Sequence, residues 1–190
     1  MSDFAVLTDP GATRPPEPAS EIIGSFCGRI ALLRSGERAA LRRMKISTPA
    51  RSAGLVTGLL MAAGFENPQK ISEAVFRRWS ILAHCAGLLS GTGKTSAHSG
   101  EWSRGFGERL SVAGYSESRL MRLTSARGSA LEDQVVRAVR YLAQANAAPV
   151  NMKTVWDLLD PDRAETARLT IARSFYAANH VTAAPQGSIK

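Results

Sequence analysis

Asn67-Pro68-Gln69-Lys70-Ile71-Ser72-Glu73-Ala74-Val75-Phe76-Arg77-Arg78-Trp79-Ser80-Ile81-Leu82-Ala83-His84-Cys85-Ala86-Gly87-Leu88-Leu89 is the stretch that decides the fold. Asn67 is a good N-cap, and Pro68 suits the first helical position, where its missing N–H costs nothing. Ile71, Val75, Trp79, Leu82, Ala86 and Leu89 then recur at spacings of 4, 4, 3, 4 and 3, one face of a helix. Glu73 and Arg77 are four apart and predict an ion pair on another face. A strand would alternate at every second residue, and no such run occurs anywhere in the chain.

The same reading extends in both directions. Ser20 caps a first helix with Ile22, Phe26, Ile30 and Leu33 as its stripe, ended by Ser35-Gly36. A short helix follows over 37–45. A third follows Thr48-Pro49, with Leu55, Leu59 and Leu60 apolar and Gly64 closing it. Downstream, helices are expected over 104–113 after Ser103 and over 117–126 after Ser116. The next spans 130–146, with Leu131, Val135, Val139 and Leu142 inward and Asp133, Arg137, Arg140 and Gln144 outward. Pro149 breaks it, Asn151 caps a helix through Leu159, and Asp160-Pro161 starts the last, with Leu169, Ala172, Phe175 and Tyr176 apolar. The expected fold is therefore all-α, a bundle of about nine helices in two packed halves.

Four segments follow from this. Residues 1–19 hold Pro10, Pro15, Pro16 and Pro18 and read as a disordered or extended N-terminal extension. Residues 20–100 form an N-terminal helical half ending in a glycine-rich loop at 90–100, expected to flex as a hinge. Residues 101–180 form a C-terminal helical half, and 181–190 a flexible tail. The chain has 190 residues, 44% of them hydrophobic and only 6% aromatic, which suits one domain or two small helical subdomains. There is no basic stretch followed by an apolar one at the N-terminus, so no signal peptide is expected. No apolar run approaches the roughly 20 residues that a membrane helix needs. The chain reads as cytoplasmic, with no membrane contact. Cys27 and Cys85 belong to no Cys-x-x-Cys and read as small buried apolar residues.

Catalytic motifs fail on spacing. Gly91-Thr92-Gly93-Lys94-Thr95 ends like a phosphate-binding loop, but the first glycine of such a loop would have to stand at Leu88, and Gly87 is one place too early. A strand should precede the loop, and a helix does. His84, His98 and His180 are scattered, with no metal-ligand spacing, and read as surface or interface residues. Asp157, Asp160 and Asp162 cluster about a helix end and a helix start, where they serve as caps. No general acid–base pair stands out. The chain reads as non-enzymatic, with no catalytic residue, no metal and no cofactor.

The charge points to nucleic acid. The net charge is +8, and it is uneven. Between Arg29 and Arg51 stand seven cations against Glu37 alone, a net +6. On the second helix Arg38, Arg42 and Lys45 fall at i, i+4 and i+7, with Ala40, Leu41 and Met44 expected to be buried behind them and Arg43 at the border. Such a one-signed strip suits phosphates, and arginine suits bidentate contact with them. A second, weaker cluster holds Arg119, Arg122 and Arg127, with Arg104 and Arg109 upstream. The candidate nucleic-acid-binding residues are thus Arg34, Arg38, Arg42, Arg43, Lys45, Arg119, Arg122 and Arg127. No helix mixes Asn, Gln and Arg as base readout needs.

Gly36-Glu37-Arg38-Ala39-Ala40-Leu41-Arg42-Arg43 resembles the Gly-x-x-Ala-x-Leu-Arg-Arg signature of the small subunit of the type I-E CRISPR Cascade complex, the CasB family. Glu117 to Leu123 resembles that family's second arginine-bearing helix. Val150 to Tyr176, with Trp156-Asp157-Leu158-Leu159, resembles its C-terminal pair. Arg38, Arg42, Arg43 and Arg119 fall on matching positions. The resemblance implies a non-catalytic subunit that contacts the other Cascade subunits and packs with a second copy of itself. It would hold the R-loop by backbone contacts to crRNA and target DNA, while base pairing reads the sequence. It also implies that Arg38→Ala/Arg42→Ala weakens R-loop retention with the fold intact. The alternatives are a free-standing helical DNA-binding regulator and a helical scaffold for acidic proteins.

Overall fold

The structure is a computed structural model that describes residues 20–46, 48, 52–90, 95–101 and 105–183, the last three by backbone alone. Nine α-helices stand among the described residues: α1 (Ser20–Leu32), α2 (Ser35–Arg43), α3 (Ala53–Ala62), α4 (Glu73–Leu89), α5 (Phe106–Val112), α6 (Glu117–Ser125), α7 (Gly128–Gln144), α8 (Met152–Leu159) and α9 (Ala164–Ala183). A 3-10 turn, Pro68–Lys70, precedes α4. No named strand occurs among the described residues. His98 and Val150 form an isolated bridge.

The all-α reading holds, with shifted boundaries. Asn67 and Pro68 start the 3-10 turn rather than α4. Ile71 is extended (ψ 144°), and Ser72 is the true cap, its Oγ accepting the Val75 N–H at 3.3 Å. Ser35 opens α2 instead of closing α1. Asn151 caps α8 as expected, through Oδ1 to the Lys153 N–H at 3.0 Å. Gly64 closes α3 at φ 95°, a left-handed turn that favours glycine.

α4 is the axle of the bundle. Its positions from Trp79 to Gly87 are all buried, not one face alone, because α1, α2, α3, α7 and α8 all pack against it. Trp79 sits at the centre, 4.8 Å from Phe26 of α1 and 4.5 Å from Trp156 of α8, ring centre to ring centre. One core cluster runs from Ile23 to Phe175. Cys27 and Cys85 lie inside it as free thiols. The pair expected between Glu73 and Arg77 gives way to a tertiary one: the Arg77 fork grips Glu132 of α7 at 2.8 and 2.6 Å.

Two expectations about side chains are corrected. On α9 the inward stripe is Ala164, Ala167, Ile171 and Phe175. Leu169 and Tyr176 are 57% and 39% exposed, because they stand one or two residues off that stripe. His84 is a core residue rather than a surface one. Its Nδ1 lies 2.7 Å from the Leu41 carbonyl, which can only accept, so Nδ1 carries the proton.

The glycine-rich segment at 90–100 was expected to flex, and Gly91–Lys94 of the phosphate-loop lookalike lie outside the described residues. Its second half is tied down. Val150 donates to the Ala97 carbonyl, Ser99 donates to the Val150 carbonyl, both at 3.0 Å, and Met152 N–H donates to His98 Nδ1 at 3.1 Å. His98 therefore accepts at Nδ1, and protonation there would break the bond.

A pH dependence follows. Burial holds the imidazoles of His84 and His98 below their ordinary value of 6.5, and the Arg140 charge adds to this at His84. Below 6.5 the unfolded chain binds the extra protons and the folded chain does not. Stability should thus be level above pH 6.5 and fall as the pH drops toward the lowered folded values. The limiting slope is about 1.4 kcal/mol per pH unit for each histidine. Urea unfolding across this range checks it. His98→Asn, which keeps an acceptor but cannot titrate, should make the slope shallower.

Candidate nucleic-acid interface

The eight arginines and lysines singled out by charge separate into two groups. Arg38, Arg42 and Arg127 each cover the C-terminal carbonyls of a helix. Arg38 Nη1 donates to Ala31 in the last turn of α1 at 3.1 Å, and Arg42 Nε donates to Gly87 in the last turn of α4 at 2.9 Å. Arg127 Nη1 donates to Thr124, Ser125 and Ala126 at the end of α6, while its Nη2 pairs with Glu165 of α9 at 2.8 Å. Those carbonyls have no partner within their own helix, and a cation there also suits the helix dipole. Stripping Arg38 and Arg42 to alanine would therefore also leave two helix ends unsatisfied, at about 1–3 kcal/mol each where buried.

The cause lies in the geometry of α2. Leu41 and Met44 are buried as expected, but Ala40 is exposed. Arg38 and Arg42 stand three before and one after Leu41, which puts them on the flanks of the buried face and half buries them. The outward face is Gly36, Ala40 and Arg43. Lys45 lies beyond the end of α2, past Met44 with ψ 132°, so it does not continue the helical strip.

The second group is exposed: Arg34, Arg43, Lys45, Arg119 and Arg122. Arg34 precedes α2, and its backbone N–H donates to Glu37 Oε2 at 3.0 Å. Arg119 lies over the rings of Tyr141 and Tyr115, 5.3 and 6.0 Å from their centres. These contacts fix the guanidinium without neutralising it.

Two further cations stand outside the candidate set. Arg137 and Arg140 are exposed on α7. Burial raises the Tyr115 phenol, and the charges of Arg119, Arg122 and Arg137 act against it, where α6 packs on α7. Arg140 acts on His84 and Cys85 of α4, the helix against which α2 and α7 both pack. The outward spacing of Arg137 and Arg140 was visible in the sequence, but which neighbours they meet is a tertiary fact. None of Arg34, Arg43, Lys45, Arg122, Arg137 and Arg140 pairs with an acid among the described residues.

Glu132, Asp160 and Glu165 are occupied elsewhere. A cleft of about 670 Å³ between α4, α7 and the α8–α9 corner holds both signs. There Arg77 pairs with Glu132, Arg78 with Asp160, and Arg127 and Arg168 with Glu165. No cluster of metal-ligating side chains occurs among the described residues. Among them, no helix is long and apolar enough to cross a membrane.

The profile of the family described as CRISPR-associated protein Cse2 matches residues 37–176, from α2 into α9. The chain belongs to the Cse2, or CasB, family. It is a type I-E Cascade subunit of that family. The fold of this Cse2-family chain is similar to the crystal structure of CasB from Thermobifida fusca. The TM-score is 0.52 at 17% identity, over 82% of this chain and 98% of that one. No curated protein matches the chain. The Cse2 match begins at Glu37, so α1 and residues 1–19 lie outside it.

Proposed function

We propose that this chain is the non-catalytic Cascade subunit that holds nucleic-acid backbone along the strip from α2 across α7 to α6, and so steadies the R-loop. One observation carries the reading: a Cse2-family chain carries exposed cations on or beside α2, α6 and α7, none of them paired with an acid among the described residues. Arg34, Arg43, Lys45, Arg122, Arg137 and Arg140 supply phosphate contacts, with Arg119 held on its tyrosines. The ligands are the crRNA–target duplex and the displaced strand. Contact with phosphates alone suffices, because base pairing reads the sequence. Other Cascade subunits and a second copy of this chain are its protein partners, in the cytoplasm.

The test neutralises exposed cations that hold no helix end: Arg43→Gln/Arg122→Gln/Arg140→Gln. Binding of the isolated chain to a generic duplex should lose about three units of salt slope, roughly one per phosphate contact removed. A reconstituted complex carrying the variant should release its R-loop sooner. Unchanged retention at full occupancy of the subunit would sink the proposal. A palindromic footprint formed without crRNA would instead favour a free-standing regulator.

A further inference from the structure

An apolar groove of about 430 Å³ runs between α1 and α3, away from the cleft described above. Leu32, Leu33, Leu55, Leu59 and Ala62 line it. Leu32 is 67% exposed. Gly54 and Gly58, four apart on α3, leave the helix backbone bare on this side, since a Cβ at either would meet nothing within 4 Å. Met61, 62% exposed, continues their spacing. Arg29 and Arg34 stand at the groove, with Glu37 already accepting from the Arg34 N–H. The groove is thus greasy along its length and positive at its edge.

We infer that residues 3–9 of this same chain dock there. Asp3-Phe4-Ala5-Val6-Leu7-Thr8-Asp9 is an apolar run with one carboxylate at each end, and so has the pattern that complements leucines flanked by Arg29 and Arg34. The tether is long enough. Residues 8–19 lie between Leu7 and the start of α1, and twelve residues reach at most about 40 Å. The groove lies toward the far end of α1, whose 13 residues span about 20 Å. Docking covers the exposed Leu32 and the open sides of Leu33 and Leu55, and sets Asp3 and Asp9 against Arg29 and Arg34. It also places acid beside the first cation of the proposed phosphate strip, so the segment and nucleic acid would compete there. That last consequence rests on the phosphate reading; the docking itself does not.

The full chain tests it in the absence of nucleic acid. A nitroxide on Ala5→Cys reports its surroundings through methyl resonances. Cys27 and Cys85 are buried, with burial pushing the Cys85 thiol up to about 12 and raising that of Cys27 as well, so they stay unlabelled. The expected result is loss of the Leu32, Leu55, Leu59 and Met61 methyl signals, with Leu123 and Leu142 untouched. Phe4→Asp/Leu7→Asp should restore the lost signals, and Arg29→Glu/Arg34→Glu should do so in part. No loss, an even loss over all methyls, or a loss that survives Phe4→Asp/Leu7→Asp overturns the docking. So does a loss seen only when tagged and methyl-labelled copies are mixed, since the occupant would then be a second copy. If docking holds but removal of residues 1–19 leaves duplex affinity unchanged, the phosphate reading fails at Arg34 while the docking stands.

Discussion

Replacing Gly107 with alanine is expected to cost about 3 kcal/mol and to lower the melting temperature by about 10 °C. α5 and α9 cross at this residue, and a Cβ there would be driven into the Ile171 carbonyl oxygen and the Ser174 hydroxyl, with the Ile171 carbonyl carbon at 2.9 Å. The two Ile171 atoms are backbone, so turning the Ser174 hydroxyl away does not relieve the clash. The two helices must part, and Phe106, Leu110, Ile171 and Phe175 lose packing with them. Gly28→Ala in the interior of α1 is the matched control. Its Cβ meets nothing within 4 Å, so it should stabilise by about 0.5–1 kcal/mol through the unfolded chain and helix propensity. Thermal or urea unfolding of the two variants should move in opposite directions. Equal shifts would mean that the crossing is looser than the structure has it.

Asp160→Ala is expected to cost about 3–5 kcal/mol. Arg78 and Asp160 pair at 2.7 Å, with side chains only 17% and 7% exposed. Arg78 also lies 5.1 Å over the Trp156 ring, which faces Trp79. Removing the acid leaves a guanidinium beside the core with its charge uncompensated. The same acid also holds the turn between α8 and α9: its Oδ1 accepts from the Asp162 N–H at 3.2 Å. Asp160→Asn keeps that acceptor and removes the charge, so it isolates the ion pair. Arg78→Met/Asp160→Asn should recover most of the loss, because no charge is left buried. Denaturant midpoints of the three variants separate the turn contact from the charge. If Asp160→Asn were as stable as the parent, the pair would carry no weight.

The helices were readable in the sequence wherever one local rule sufficed. Asn151 and Gly64 act as a cap and a stop through their own chemistry, and Leu131, Val135, Val139 and Leu142 bury as their spacing dictates. Boundaries drifted where two signals competed, as at Asn67-Pro68 against Ser72. The inward face of α9 was misread because alanines at 164 and 167 weigh little in a hydrophobic pattern, while Leu169 and Tyr176 weigh much. The candidate interface was half legible. A surplus of arginine marks a basic surface, but it cannot say which guanidinium meets a phosphate and which meets a carbonyl. Arg42 and Arg43 are adjacent in sequence, yet one bonds to α4 and the other faces solvent. The Gly87 carbonyl that Arg42 meets is forty-five residues away, beyond the reach of a local pattern.

The burial of α4 on every side also governs the order in which the molecule can be made. Phe26, on one flank of Trp79, leaves the ribosome before it, and Trp156, on the other, leaves long after. Until α7 and α8 emerge, the nascent chain carries a half-covered helix whose uncovered side is tryptophan, alanine and leucine. α1 to α4 are thus a platform that waits for its lid. The core closes only when translation has passed Trp156.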